Sequence, residues 1–140
     1  SDSHLYEDNF TLTGCNDQKY DRVARYTAIS ADNSTSVSLD VNTDLYPLSV
    51  DDNVQLLLAS TLNLDGSKDD KGWRDRPGEQ TLADLYDYVC YGKVYRFEEG
   101  AEGEIIKVYV SFGGLLLFIE GPYKKLTPLR VDNVYLLLKK

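Results

Sequence analysis

Adjacent carboxylates are the first place to look for an acid–base engine, and in this 140-residue chain Asp51-Asp52 and Glu98-Glu99 are candidates. Neighbouring side chains on a strand point to opposite faces, so neither pair can share a proton. Both pairs also lie beside turn signals. Asp84 and Asp87 would share a helical face, but no third ligand or base accompanies them. All six read as solvated turn and cap residues. His4 is the only histidine and Cys15 and Cys90 the only cysteines, so four zinc ligands cannot be assembled from these types. A Ser-His-Asp or Cys-His engine would need its imidazole at residue 4, in a frayed terminus. Two lone thiols suit a reducing compartment, and both read as small buried hydrophobes. Phe112-Gly113-Gly114-Leu115 is followed by Leu-Leu-Phe-Ile rather than by a helix, so it is no phosphate cradle. The glycines read instead as a tight turn with positive φ. No catalytic set, metal or cofactor site is predicted.

One strip has binding chemistry. If Lys19-Tyr20-Asp21-Arg22-Val23-Ala24-Arg25-Tyr26 is a strand, Tyr20, Arg22, Ala24 and Tyr26 share a face. Rings interleaved with guanidinium make a stacking platform for single-stranded nucleic acid, with Lys19 and Arg25 as flanking cations. Its surroundings oppose that use, because residues 1–60 hold ten acidic against three basic side chains. The binding predicted is therefore weak, salt-sensitive and blind to sequence. An outward Tyr/Arg face that packs on a protein neighbour is the competing reading, since interfaces enrich both types.

The elements that would carry these residues are strands. Ser36 to Asn42 alternates strictly, with Val37, Leu39 and Val41 on one face and polar side chains on the other. Further strands are predicted over Tyr20–Ser30, Val54–Ser60, Tyr88–Glu98, Glu104–Phe112, Leu115–Glu120 and Asn133–Leu138, with one more over Asn9–Thr13. Asp32-Asn33-Ser34, Asp51-Asp52-Asn53, Gly100 to Gly103, Gly113-Gly114 and Gly121-Pro122 punctuate them. Spacing this tight leaves no room for crossover helices, so a mostly antiparallel sandwich or barrel follows. Thr81 with Asp84 caps at most one turn of helix before Tyr88. Nine of the 17 residues from Asp65 to Thr81 are charged and none is aliphatic, which predicts a mobile loop inside the domain. Trp73 within it is read as a partner contact.

Composition bounds the rest. The net charge of −8 disfavours attachment to nucleic acid or anionic lipid by bulk charge. It is unevenly spread, because residues 105–140 carry six basic against two acidic side chains. No apolar run, Leu115 to Ile119 among them, approaches the length of a membrane span, and the opening residues predict no secretory leader. An apolar ending at Val134 to Leu138 predicts a terminal strand paired into the sheet.

Several blocks carry a resemblance. They are Ser38-Leu39-Asp40-Val41-Asn42 with Leu45-Tyr46-Pro47, Ala59 to Leu64, Tyr86-Asp87-Tyr88-Val89-Cys90-Tyr91-Gly92, Ser111 to Leu116 with Glu120-Gly121, and Tyr135 to Lys140. With them the chain resembles the eighth of the small subunits shared by eukaryotic nuclear RNA polymerases I, II and III. The resemblance implies one domain over residues 1–140, an all-β fold built as a closed β-barrel of oligonucleotide-binding type, with two such halves merged. It implies a non-catalytic role docked on the largest polymerase subunit among other polymerase subunits, in the nucleoplasm and nucleolus, without membrane contact or homo-oligomerisation. For that docking the candidate anchors are Tyr88, Tyr91, Gly92, Phe112, Gly113, Gly114 and Leu115, where large rings flank a glycine-permitted backbone approach.

Overall fold

The structure, a computed structural model, describes residues 4–20 (backbone alone for 17–20), 22–62, 81–100 and 104–140. Eight strands form: β1 His4–Tyr20, β2 Val23–Ser30, β3 Ser36–Asn42, β4 Asn53–Ala59, β5 Tyr88–Glu99, β6 Ile105–Phe112, β7 Leu115–Pro122 and β8 Asn133–Lys139. They close into a barrel in the order β1-β2-β3-β7-β6-β5-β8-β4, every neighbouring pair antiparallel. The expected architecture is thus present. The order contains a regularity that no sequence period announces. In the first four strands β4 lies beside β1 of the β1-β2-β3 meander. In the last four β8 lies beside β5 of the β5-β6-β7 meander. Each half is a Greek key, and equivalent strands meet at two seams, β3 with β7 and β4 with β8.

Alternation positions the core. On β6, Ile106, Val108, Val110 and Phe112 are buried while Lys107, Tyr109 and Ser111 face outward. Inward residues of all eight strands make one cluster, including Phe10, Leu12, Leu39, Leu56, Val108, Ile119 and Leu136. At the β4–β8 seam the outward side is buried too. Leu57, Ala59, Tyr135 and Leu137 form a second cluster with Leu62 and Leu82. The runs Leu56-Leu57-Leu58 and Leu136-Leu137-Leu138 are apolar without alternation for that reason, being covered on both faces.

The cover is the predicted helical turn. It is a 3-10 turn, Leu82–Leu85, with Thr81 and Asp84 making a reciprocal capping box. The turn between β6 and β7 also matches its sequence. Phe112 and Leu115 pair across a two-residue loop in which Gly113 and Gly114 have φ of 64° and 98°, the requirement of a tight hairpin twisted like its strands.

Two expectations are corrected. The Tyr20–Ser30 strand is broken, because Arg22 turns at φ 67° and joins a far longer β1 to β2. Gly121-Pro122, read as a turn signal after Glu120, is instead the end of β7 itself, and a short α1, Tyr123–Leu126, with a 3-10 turn, Thr127–Leu129, follows. Leu126 and Leu129 are fully buried against the barrel end, while Lys124 and Lys125 hide the pattern from a sequence reading. The predicted loop from Asp65, with Trp73, lies outside the described residues as far as Gln80.

Candidate interaction surface

The two halves of the barrel bear different outer faces. On the first half several outward side chains of β1, β2 and β4 are polar and bonded to one another. Gln55 donates to Glu7 (2.8 Å), the Thr11 hydroxyl to Asn53 (2.8 Å), and the hydroxyls of Thr13 and Thr27 share a hydrogen bond (3.2 Å). On β5, β6 and β7 the outward side chains include Tyr91, Tyr95, Arg96, Tyr109, Leu116 and Phe118. Tyr109 and Phe118 are cross-strand partners with centroids 4.9 Å apart, and Tyr95 follows at 6.0 Å from Tyr109. Arg96 lies opposite Tyr109, with its guanidinium 5.7 Å from that ring's centroid and paired with Glu98. Tyr95 sits in a register shift between Val94 and Arg96, which turns it outward to 54% exposure.

The basic–aromatic strip does not form the predicted platform. The turn at Arg22 puts residue 20 on β1 and residues 24 and 26 on β2, so the shared face is lost. Tyr26 is only 2% exposed and donates its hydroxyl to the Leu48 carbonyl (2.9 Å) inside the barrel. Arg25 grips Asp40 with two hydrogen bonds (2.7 and 3.1 Å), and Asp40 also accepts the Leu116 amide (3.0 Å). That cluster clamps the β3–β7 seam, where backbone pairing stops at Leu39–Leu117. Arg22 is exposed and paired with Asp44 (3.2 Å). The side chains of Lys19 and Tyr20 lie outside the described residues.

The predicted docking anchors divide. Tyr88 is a correction: it is buried, stacks on Tyr46 (5.5 Å, 15°) and accepts the Asn42 amide. Gly92 and Phe112 are corrections too, because the Phe112 ring occupies the space a side chain at 92 would take. A Cβ there would stand 2.5 Å from Phe112 Cδ1 and 2.3 Å from the Ser111 carbonyl oxygen. Leu115 is half-buried against the core. Tyr91, 56% exposed beside Tyr135, and the Gly113-Gly114 turn are on the surface.

The carboxylates have the structural duties expected of them. The Asp52 carboxylate accepts the Ser49 amide (2.9 Å), which with Lys140 holds it below its ordinary value. Glu99 pairs with Arg130 and Asp87 accepts from Tyr46. Among the described residues no cluster of His, Cys, Asp or Glu is arranged for a metal. Burial raises the Cys90 thiol's pKa, which suits an inert residue. Cys15 corrects its prediction, because the β1–β2 hairpin overhangs the barrel there and leaves it exposed.

A family model described as RNA polymerase Rpb8 matches residues 7–140. The chain belongs to that family. Among its curated relatives is a Schizosaccharomyces pombe protein named DNA-directed RNA polymerases I, II, and III subunit RPABC3, 45% identical and covering 100% of this chain and 99% of its own. Proteins of the same name from Saccharomyces cerevisiae and Dictyostelium discoideum are each 38% identical, covering 97% and 99% of this chain and 97% and 98% of theirs. For a member of the Rpb8 family, the sequence missed the aromatic outer face. Its signal was the unbroken run Leu115 to Ile119, which reads as a strand buried on both sides. Among the described residues no segment lies over its outward residues Leu116 and Phe118, which meet only ring neighbours on the same sheet face such as Tyr109.

Proposed function

We propose that this chain is a non-catalytic structural subunit common to nuclear DNA-directed RNA polymerases I, II and III, docked on the largest subunit and working in the nucleoplasm and nucleolus. The observation that carries it is the match of nearly the whole chain to relatives bearing that shared-subunit name. A scaffold role is supported by ion pairs placed at a seam and a turn, Arg25–Asp40 at the β3–β7 seam and Arg22–Asp44 beside the β1–β2 turn. Tyr91 and the Gly113-Gly114 turn are the exposed members of the predicted docking set. Tyr26 is turned into the barrel and Arg22 is paired with Asp44, which does not favour the nucleic-acid reading, so docking is the reading retained.

Affinity purification of the tagged full chain from nuclei tests this. Recovery of the largest subunits of all three polymerases is expected. Recovery with one polymerase class alone overturns the shared role, and recovery with none overturns the assembly role. A turn variant for the same assay must respect φ 64° at Gly113. Gly113→Asn fits, because asparagine tolerates that conformation and nothing stands within 4 Å of its Cβ, whereas valine is strained there.

A further inference from the structure

Three apolar runs break the alternation of this barrel, and they differ in fate. Leu56 to Leu58 and Leu136 to Leu138 are buried on both faces because residues 61–62 and 81–86 cover their outer side. Leu115 to Ile119 has the same character, with Leu117 and Ile119 inside. Its outer residues Leu116, 37% exposed, and Phe118 have no such cover among the described residues. Phe118 instead continues into Tyr109 and Tyr95, rings tilted about 45° to one another across three strands. Tilted rings leave notches between them that admit an aliphatic or proline side chain, and a rigid aromatic anchor loses little entropy on contact.

Charge selects the occupant. On this face Arg96 is paired with Glu98 and Lys107 with Glu120 (3.8 Å), so Lys93 leaves it one cation in excess on a chain of net charge −8. A polyanion would be repelled by the chain as a whole, whereas a short acidic segment would meet only the local field. We infer that the outer face of β5, β6 and β7, built on Tyr95, Tyr109, Leu116 and Phe118 with Arg96 at its rim, binds a polypeptide segment of another polymerase subunit. That segment presents aliphatic or proline side chains flanked by carboxylates. The inference rests on the assembly role proposed above and adds which face is covered and by what chemistry.

Site-specific photo-crosslinking in the assembled polymerase tests it. Tyr95→p-benzoylphenylalanine and Phe118→p-benzoylphenylalanine are compared with Thr27→p-benzoylphenylalanine on the polar half, each full chain being purified through a different polymerase subunit. Crosslinks at 95 and 118 to a peptide with more Asp and Glu than Lys and Arg, at least tenfold above position 27, are expected. Arg96→Glu, which reverses the rim charge, should lower that yield several-fold while the far-ultraviolet circular dichroism is unchanged. Crosslinks to nucleic acid, to a basic peptide, or none above position 27 overturn the inference while leaving the assembly role intact. If the unmodified chain is absent from the purified polymerase, both readings fail together.

Discussion

At the β4–β8 seam the outward side chains Leu57, Ala59, Tyr135 and Leu137 are sealed by the chain's own Leu62 and Leu82. At the β3–β7 seam the outward side chains are Ser36, Ser38, Leu116 and Phe118, with Arg25 and Asp40 closing the gap where backbone pairing ends. The same Greek key, used twice, therefore yields one seam finished internally and one left with apolar surface exposed. Topology fixes where the strands go, but local cover decides which outer face becomes core. A covered face can only stabilise, whereas an uncovered aromatic face is available for recognition.

The largest contrast between the seams should come from truncation. Leu137→Ala removes a fully buried side chain from the sealed seam and should cost about 2–5 kcal/mol in urea unfolding of the isolated chain. Phe118→Ala on the open face should cost less than half as much there. Equal costs would mean the open face is already part of the core.

Glycines sharpen the comparison between halves with a smaller effect. Gly92→Ala drives a Cβ into the Ser111 carbonyl, a backbone atom that cannot yield, and should destabilise by about 1–3 kcal/mol. Gly14→Ala in the first half meets only the Thr27 hydroxyl at 2.7 Å, which can rotate away, and should shift the unfolding midpoint far less. A reversed order would show that the Gly92–Phe112 contact is not what fixes the β5–β6 geometry.

The smallest effect joins the halves at the Tyr46–Tyr88 stack. Burial, then the nearby charge of Asp87, pushes the Tyr46 phenol up from 10 to about 12. Between those values the unfolded chain sheds a proton that the folded phenol keeps, so stability should fall as pH rises from 10 to 12. Tyr46→Phe should flatten that fall without abolishing it, because burial also raises the Tyr6 and Tyr88 phenols. An unchanged slope in denaturation from pH 9 to 12 would remove Tyr46 from the account.

Much of the fold was legible because alternation is a local signal. Ser36–Asn42 follows from side-chain period and the Gly113-Gly114 turn from φ demand within a few residues, while the apolar ending marks Asn133–Lys139. The short helix of Tyr123–Leu126 was not, since four residues carry no period and its two lysines mask Leu126. The basic–aromatic strip misled for a related reason. A single positive-φ arginine breaks the strand that its side-chain pattern assumes, and only the partner carbonyl of Leu48 explains why Tyr26 is inside.

Residue types, spacing and charge by themselves determined that this chain is an antiparallel β structure. They also determined that its Thr81–Asp84 cap and glycine hairpin would form, because each depends on residues adjacent in the chain. The tertiary structure alone decided how the strands close and which apolar run is covered. It also decided that Tyr88, Gly92 and Phe112 are core while Tyr95, Tyr109 and Phe118 are surface. Alternation assigns a residue to one of two faces. Only the packing of distant segments says which face meets water.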